Sequence, residues 1–160
     1  MKKILMKLLL ELLKDSKRSD RELAKVLDVS QATVSRMRSK LVKDGLVQQF
    51  TVIPDLAKMG FEILAISSFK SKRTKEIREK AIKWTMAKPN VLFVARAEGM
   101  GKNAVMVSIH KNYTDYSNFL NDIMFESKDI VEDHDTLLIS LRGFIAKPFS
   151  LKYLAELYEK

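Results

Sequence analysis

Residues 19–47, SDRELAKVLDVSQATVSRMRSKLVKDGLV, predict two short helices joined by a tight turn. Ser19 stands three residues before Glu22, which is the capping-box spacing at the start of a helix. Ser30 is a favourable N-cap for the second helix, and Gly45 is typical of a helix C-terminus. The turn between the helices is only three residues long. Two helices connected in this way form a helix-turn-helix.

The second helix of such a unit enters the major groove of DNA, where its first residues meet base edges. Val34, Met37 and Leu41 recur at helical spacing and are expected to pack inward. The remaining side chains suit DNA, because Arg and Gln can each make paired hydrogen bonds to a base and the others can contact phosphates. The predicted DNA-binding residues are Gln31, Thr33, Ser35, Arg36, Arg38 and Lys40. A polar helix face can also be merely solvated, but the turn, the caps and the local charge together favour DNA.

Positive charge is concentrated around this motif. The 160 residues carry 29 Lys and Arg against 20 Asp and Glu, a net charge of +9, which indicates a polyanionic partner. Residues 1–53 hold 12 basic and 6 acidic side chains, and residues 54–160 hold 17 and 14. The absence of cysteine excludes disulfides, thiol catalysis and cysteine-based metal sites. His110 and His134 show no metal-ligand spacing, so neither a metal nor a cofactor is expected.

Upstream of the motif, residues 3–14 have apolar side chains at helical spacing, interrupted by Lys7 and Glu11. These charges argue against a secretory signal, and no apolar run of about 20 residues could span a membrane, so a cytoplasmic protein is expected. Downstream, residues 46–53 alternate and are predicted to form a strand. Proline at position 54 marks a domain boundary.

The rest of the chain alternates strands and helices in the order βαββαβ, which is the ferredoxin-like pattern. The predicted strands are 61–69, 91–97, 104–110 and 136–145, and the predicted helices are 75–87 and 113–125. A further helix is predicted over 149–160. The expected fold is therefore α+β. Its expected domains are a helix-turn-helix (1–53), a hinge (54–60), a ferredoxin-like domain (61–147) and a C-terminal helix (148–160).

The stretch RELAKVLDVSQATVSRMRSKLVKDGLV resembles the winged helix-turn-helix of the Lrp/AsnC transcription regulators. Its matches to the family pattern are Glu22-Leu23-Ala24, Ser30, Thr33-Val34-Ser35-Arg36, Leu41 and Gly45-Leu46-Val47. The resemblance extends over nearly the whole chain. It implies a homodimeric or higher-order transcription regulator of double-stranded DNA, with ferredoxin-like lobes that pair through their sheets. It also implies a small effector, usually an amino acid, at the subunit interface.

Two positions depart from the family pattern. Arg38 stands where an aliphatic residue is common, and the stretch EGMGKN at 98–103 lacks the acidic residue that usually follows the glycine. Asn103 is the expected substitute acceptor for an amino group. The predicted effector-binding residues are Gly99, Met100, Gly101 and Asn103. A nucleotide fingerprint is not expected here, because a strand and not a helix follows the glycines.

Two other functions fit the same fold pattern. One is an enzyme similar to the sirohaem decarboxylases, and the other is a metabolite-sensing subunit that never meets DNA. The basic residues around the intact Thr33–Arg36 motif favour a DNA-binding protein without enzymatic activity over both. The basic run over residues 70–83 is expected to be a solvated helix surface, with a second DNA path as the alternative.

Overall fold

The structure is a computed structural model that describes residues 3–72 and 74–158, and these form six helices and four strands. They are α1 (Lys3–Lys14), α2 (Asp20–Leu27), α3 (Gln31–Lys43), β1 (Ile63–Ser71), α4 (Lys75–Met86), β2 (Val91–Gly99), β3 (Lys102–His110), α5 (Tyr113–Glu126), β4 (Val131–Ser140) and α6 (Tyr153–Tyr158). The chain divides into two compact units. One comprises the residues up to Ile53 together with those from Lys147 onward, and the other is Pro54–Ala146. The predicted α+β class is confirmed.

The first unit, which we call the head, is helical and is built on one apolar core. Each of its first three helices contributes buried side chains to that core: Leu5, Leu8, Leu12, Leu23, Ala24, Val34 and Leu41. Leu8, Leu23 and Leu41 are fully buried, so truncating any one of them to alanine is expected to cost about 2–5 kcal/mol of stability. The predicted inward positions of α3 are confirmed, since Met37 also packs against this core.

The segment predicted as a strand at 46–53 is not one, and that prediction is wrong. The first two backbone N–H groups after Gly45 turn back onto the helix: those of Leu46 and Val47 both donate to the carbonyl of Leu41, at 3.0 and 3.1 Å. A strand forms only when a neighbouring strand makes hydrogen bonds with its backbone N–H and C=O groups. No strand in the described part of the chain pairs with this segment, so its alternating pattern does not become a sheet.

The C-terminal helix is shorter than predicted and belongs to the head. The sequence predicts 149–160, whereas α6 covers Tyr153–Tyr158, and residues 159 and 160 lie outside the described part of the chain. Ala155 is fully buried, and α6 packs against α1. The chain therefore returns to its first unit after completing the second one.

The second unit is a four-stranded antiparallel sheet with the order β2-β3-β1-β4. Together with α4 and α5 this confirms the predicted βαββαβ arrangement. The two helices cover one face of the sheet, where Phe69 and Met106 pack with Phe119 and Ile123 of α5. No helix in the described part of the chain is long and apolar enough to cross a membrane.

The last strand begins five residues earlier than predicted, and it ends at Ser140, not at 145. The sequence Asp133-His134-Asp135 is typical of an exposed acidic turn, but in the structure it lies inside β4 and pairs with residues 68–70 of β1. The sequence misleads here because acidic side chains are uncommon in strands. Both aspartates form ion pairs with Lys102, which accommodates them within the strand.

His110, the last residue of β3, is fully buried beneath α5. Its Nε2 lies 2.9 Å from the hydroxyl of Ser108, whereas its Nδ1 has no hydrogen-bond partner among the described residues. Burial lowers the pKa of this imidazole, and the opposing effect of the Asp115 carboxylate, 4.0 Å away, is smaller. The folded chain therefore holds His110 neutral.

We expect acid to destabilise the second unit through His110. The unfolded chain binds a proton on this residue near pH 6.5 and the folded chain does so only at lower pH, so stability falls as the pH drops below about 6.5. The slope is limited to about 1.4 kcal/mol per pH unit, the value for one proton. Urea unfolding followed by the fluorescence of Trp84 measures it, and His110→Leu should flatten it. An equal slope in the variant would assign the effect to other groups.

Candidate DNA interface and hairpin cleft

The caps of α2 and α3 fix the helix-turn-helix geometry. Both halves of the predicted capping box form, with the Ser19 hydroxyl accepting from the backbone N–H of Glu22 and the Glu22 carboxylate accepting from that of Ser19. Asp28 ends α2 in the left-handed conformation, and Ser30 caps α3 by accepting from the N–H of Thr33 at 3.1 Å. The three-residue turn and its caps therefore set the position of α3.

The outer surface of α3 is a continuous strip of exposed side chains. Its members are Gln31, Ala32, Ser35, Arg36, Ser39 and Lys40. Gln31 and Arg36 form no hydrogen bond or ion pair with any described residue, so both are available to a ligand. Lys40 is exposed and pairs with Asp44, one turn later, at 2.7 Å. Ala32 and Ser39 are not among the predicted DNA-binding residues. Ala32 lies four residues before Arg36 and Ser39 four residues after Ser35, so helical spacing could have placed both on this strip.

Two of the six predicted DNA-binding residues do not lie on this strip. Thr33 is half-buried, and its hydroxyl lies 2.8 Å from the hydroxyl of Ser30 at the start of α3. Arg38 is also half-buried: its Nε donates to Asp20 at 2.6 Å, and its Nη2 donates to the carbonyl of Arg18 at 2.7 Å. The structure thus uses Arg38 to tie α3 to the start of α2.

We expect Arg38→Ala to destabilise the helix-turn-helix, because it leaves a partly buried carboxylate and a carbonyl without their donor. The expected cost is about 1–3 kcal/mol. Amide hydrogen exchange of α2 and α3 measures this loss of stability in the first unit separately from the second unit. Arg36→Ala is the matched control and should stay within about 0.5 kcal/mol of the wild type, because Arg36 has no partner among the residues that the structure describes. Equal protection in the two variants would contradict a structural role for Arg38.

The predicted effector residues lie at the β2–β3 hairpin of the second unit. Gly99, Met100 and Gly101 all have positive φ, and at Gly101 the value of 73° explains the choice of glycine. Met100 is almost fully exposed, with 97% of its surface accessible. Gly99 and Gly101 line an open cleft of about 590 Å³ together with Asn103.

Asn103 does not offer a free acceptor. Its Oδ1 accepts from the N–H and the hydroxyl of Ser71, both at 3.0 Å, and its Nδ2 donates to the Ser71 carbonyl at 2.7 Å. The expected replacement for the family's acidic residue is therefore occupied in tying β3 to the end of β1. The same cleft contains carboxylates that the sequence did not single out, Glu98 and Glu132.

Lys102, at the start of β3, is buried and binds Asp133 and Asp135 of β4, the latter at 2.9 Å. Its hydrogen bond to Asp133 and, to a smaller extent, its hydrogen bond to Asp135 raise the pKa of the Lys102 ammonium group. The group therefore stays charged. Among the described residues, no cluster of three or more His, Asp and Glu side chains is arranged to hold a metal ion.

The face of the sheet opposite the helices is apolar. Side chains along a strand point alternately to the two faces of the sheet. Since Phe69 and Met106 point toward the helices, the residues that alternate with them in each strand point to this second face. The register places one such residue of every strand in a single row across the sheet: Phe93, Val107, Ile66 and Leu137. Phe93 and Leu137 are 55% and 70% exposed. We call this surface the open face.

Known proteins that are similar to this chain match the helix-turn-helix of the first unit and the sheet of the second. Residues 1–48 match the model of a winged helix-turn-helix DNA-binding family. The HTH-type transcriptional regulator PH0061 of Pyrococcus horikoshii is 30% identical over 138 residues, which cover 84% of this chain and 89% of that one. Its crystal structure superposes with a TM-score of 0.79 over 94% of this chain and 97% of that one, at 26% identity.

Solved structures of more distant proteins share the complete fold. An AsnC family transcriptional regulator from Agrobacterium tumefaciens has a TM-score of 0.79 at 18% identity, over 96% of this chain and 99% of that one. The transcriptional regulator NMB0573 of Neisseria meningitidis, solved as a complex with L-Met, gives the same values.

The chain belongs to the HTH-type transcription regulators, and it has the fold of the AsnC family regulators. The predicted winged helix-turn-helix followed by a ferredoxin-like unit is thereby confirmed as the fold. Arg38 is the notable departure of α3 from the Lrp/AsnC sequence pattern that the chain resembles. Where an aliphatic residue is common, this chain has a cation that reaches across to α2.

Proposed function

We propose that this regulator recognises specific sites in double-stranded DNA by inserting the exposed strip of α3 into the major groove. The observation that carries the proposal is that Gln31 and Arg36 are exposed on the capped helix α3 and bind no other residue in the described part of the chain. These are the side chains that best read adenine and guanine. Ser35 and Lys40, on the same strip, suit phosphate contacts. Arg38 and Thr33 act by positioning α3.

We infer that the active form is a homodimer, or a higher oligomer built from dimers, that pairs through the open face. A row of apolar side chains across four strands is costly to leave in water, and about 25 cal/mol is gained for each Å² that pairing buries. A two-fold dimer presents two heads, so its operator should be pseudo-palindromic with half-sites spaced by whole helical turns.

We further propose that a small amino-acid-like effector binds at the hairpin cleft, beside the pairing surface. The glycine backbone and the charged side chains around it support this, as does the L-Met complex of the Neisseria regulator. The relatives are named as regulators, which supports a role in transcription without enzymatic activity or a cofactor. Such a protein acts where the chromosome is, in the cytoplasm of a prokaryotic cell.

Selection of genomic DNA fragments by the purified full-length protein tests this function. We expect enrichment of a pseudo-palindromic site over bulk DNA by a factor of at least about 10³, the lower range for specific recognition. Repeating the selection with added amino acids reports the response to an effector. Uniform recovery of fragments, with no shared motif at any salt concentration, would contradict specific recognition.

A further inference from the structure

Arg38 is a cation that borders the exposed strip of α3 but turns away from it. It lies seven residues after Gln31 and three after Ser35, so it shares their side of the helix. Helical side chains also tilt toward the N-terminus of their helix, which is the end that meets DNA. Spacing therefore places the guanidinium within reach of DNA. In the structure, however, only 22% of the Arg38 side chain is accessible, because it reaches across to α2.

Asp20, the first residue of α2, holds Arg38 in this position. Its carboxylate accepts from the Arg38 Nε at 2.6 Å, and its own side chain is only 24% accessible. The Nη2 of Arg38 donates to the carbonyl of Arg18, whose own guanidinium pairs with Glu11 of α1. Two of the N–H donors of Arg38 are therefore bound within the head, and its charge is balanced by the carboxylate.

This pairing matters because of where α2 lies in a helix-turn-helix. The first helix of such a unit crosses the DNA backbone, so the start of α2 faces phosphates. Each arginine that neutralises a phosphate strengthens binding to every sequence alike and makes it more dependent on salt. An arginine that is bound by a carboxylate contributes neither effect, since the pair carries no net charge. The Asp20–Arg38 pair thus removes one cation from each head.

We propose that Asp20 is a positioning residue that holds Arg38 away from the DNA backbone and thereby limits sequence-independent binding. This inference rests on the proposed DNA-binding function and adds a residue of α2 that makes no contact with DNA itself. Restraint of this kind favours the operator over bulk DNA, because a genome offers a very large excess of competing non-specific sites. Base reading by Gln31 and Arg36 is left unchanged.

The salt dependence of DNA binding by the full-length protein tests this proposal. In Asp20→Ala the released Arg38 should contact one phosphate in each head. The slope of log affinity against log salt should then steepen by about one unit per head, or about two for a dimer, on operator and unrelated DNA alike. The motif that the variant selects should match that of the wild type. Asp20→Asn, which keeps the size and an acceptor, should change the slope in the same direction by less, and it serves if Asp20→Ala does not fold.

Two further variants separate the release of Arg38 from other effects. Asp15→Ala is the matched control, because it removes the same charge from an exposed residue of the head that does not bind Arg38. Asp20→Ala, Arg38→Ala has the net charge of the wild type and no released cation, so its slope should return to the wild-type value. Arg38→Ala alone leaves Asp20 unpaired near phosphates and should weaken binding to all sequences. A pair with a merely structural role would weaken DNA binding in both single variants.

Equal slopes in Asp20→Ala and Asp15→Ala would overturn the proposal, as would a steeper slope that persists when Arg38 is also removed. Selection of a common site by the wild type together with equal slopes rejects only this inference. Absence of any selected site in the wild type rejects the proposed function, and the slopes on unrelated DNA then still report whether Asp20 restrains Arg38.

Discussion

Arg36→Ala should abolish the preference of the protein for its operator while leaving the fold intact. A paired hydrogen bond from arginine to guanine contributes about 1–3 kcal/mol, and a dimer makes this contact twice. Since each 1.4 kcal/mol is tenfold, the expected loss of affinity is about 30-fold to 10⁴-fold. Gel shifts on the selected operator and on unrelated DNA measure this loss. Affinity for unrelated DNA should change little.

Arg36→Lys is the matched control, because it keeps the positive charge but cannot make the paired contact. We expect it to lose operator preference almost as fully as Arg36→Ala, with the salt dependence of the wild type. If Arg36→Lys binds the operator as tightly as the wild type, then Arg36 contacts a phosphate and does not read a base.

Leu137→Asp should dissociate the dimer. Leu137 is 70% exposed on an edge strand, so a single chain tolerates the charge. In a dimer paired through the open face each new carboxylate is buried against the apolar side chains of the partner, which costs several kcal/mol. We expect the dissociation constant of the dimer to rise at least 100-fold, as measured by sedimentation, and operator affinity to fall because each complex then has only one head.

Met86→Asp provides the comparison for this variant. Met86 is 83% exposed on α4, on the other side of the sheet from the open face. The substitution introduces the same charge at another apolar and even more exposed position, and the dimer should persist. Dissociation by Met86→Asp with a stable Leu137→Asp dimer would place the pairing surface on the helical side.

Local signals in the sequence were sufficient for the caps and the buried positions of the helix-turn-helix. Ser19, Glu22 and Ser30 each make the capping contact that their spacing predicts. Capping involves neighbours three residues apart, so it can be identified without knowledge of the rest of the fold. The same holds for Val34 and Leu41, whose periodicity correctly predicts burial.

Contacts between distant residues explain where the predictions failed. Arg38 lies outside the exposed strip because Asp20, 18 residues earlier, binds it. Asn103 binds Ser71, 32 residues away, and the acidic start of β4 depends on Lys102. The segment 46–53 has the composition of a strand, but no strand among the described residues pairs with it. In each case the outcome depends on residues far along the chain, and the spacing of neighbouring residues gives no information about such contacts.

The most direct test of the central claim is a side-by-side DNA selection with the wild type and the double variant Gln31→Ala, Arg36→Ala. The wild type should select a pseudo-palindromic site with defined bases in each half. The variant should keep its fold and bind DNA, but lose base preference at two symmetry-related groups of positions. Recovery of the same motif by both proteins, with equal enrichment, would show that the exposed strip of α3 does not read the operator.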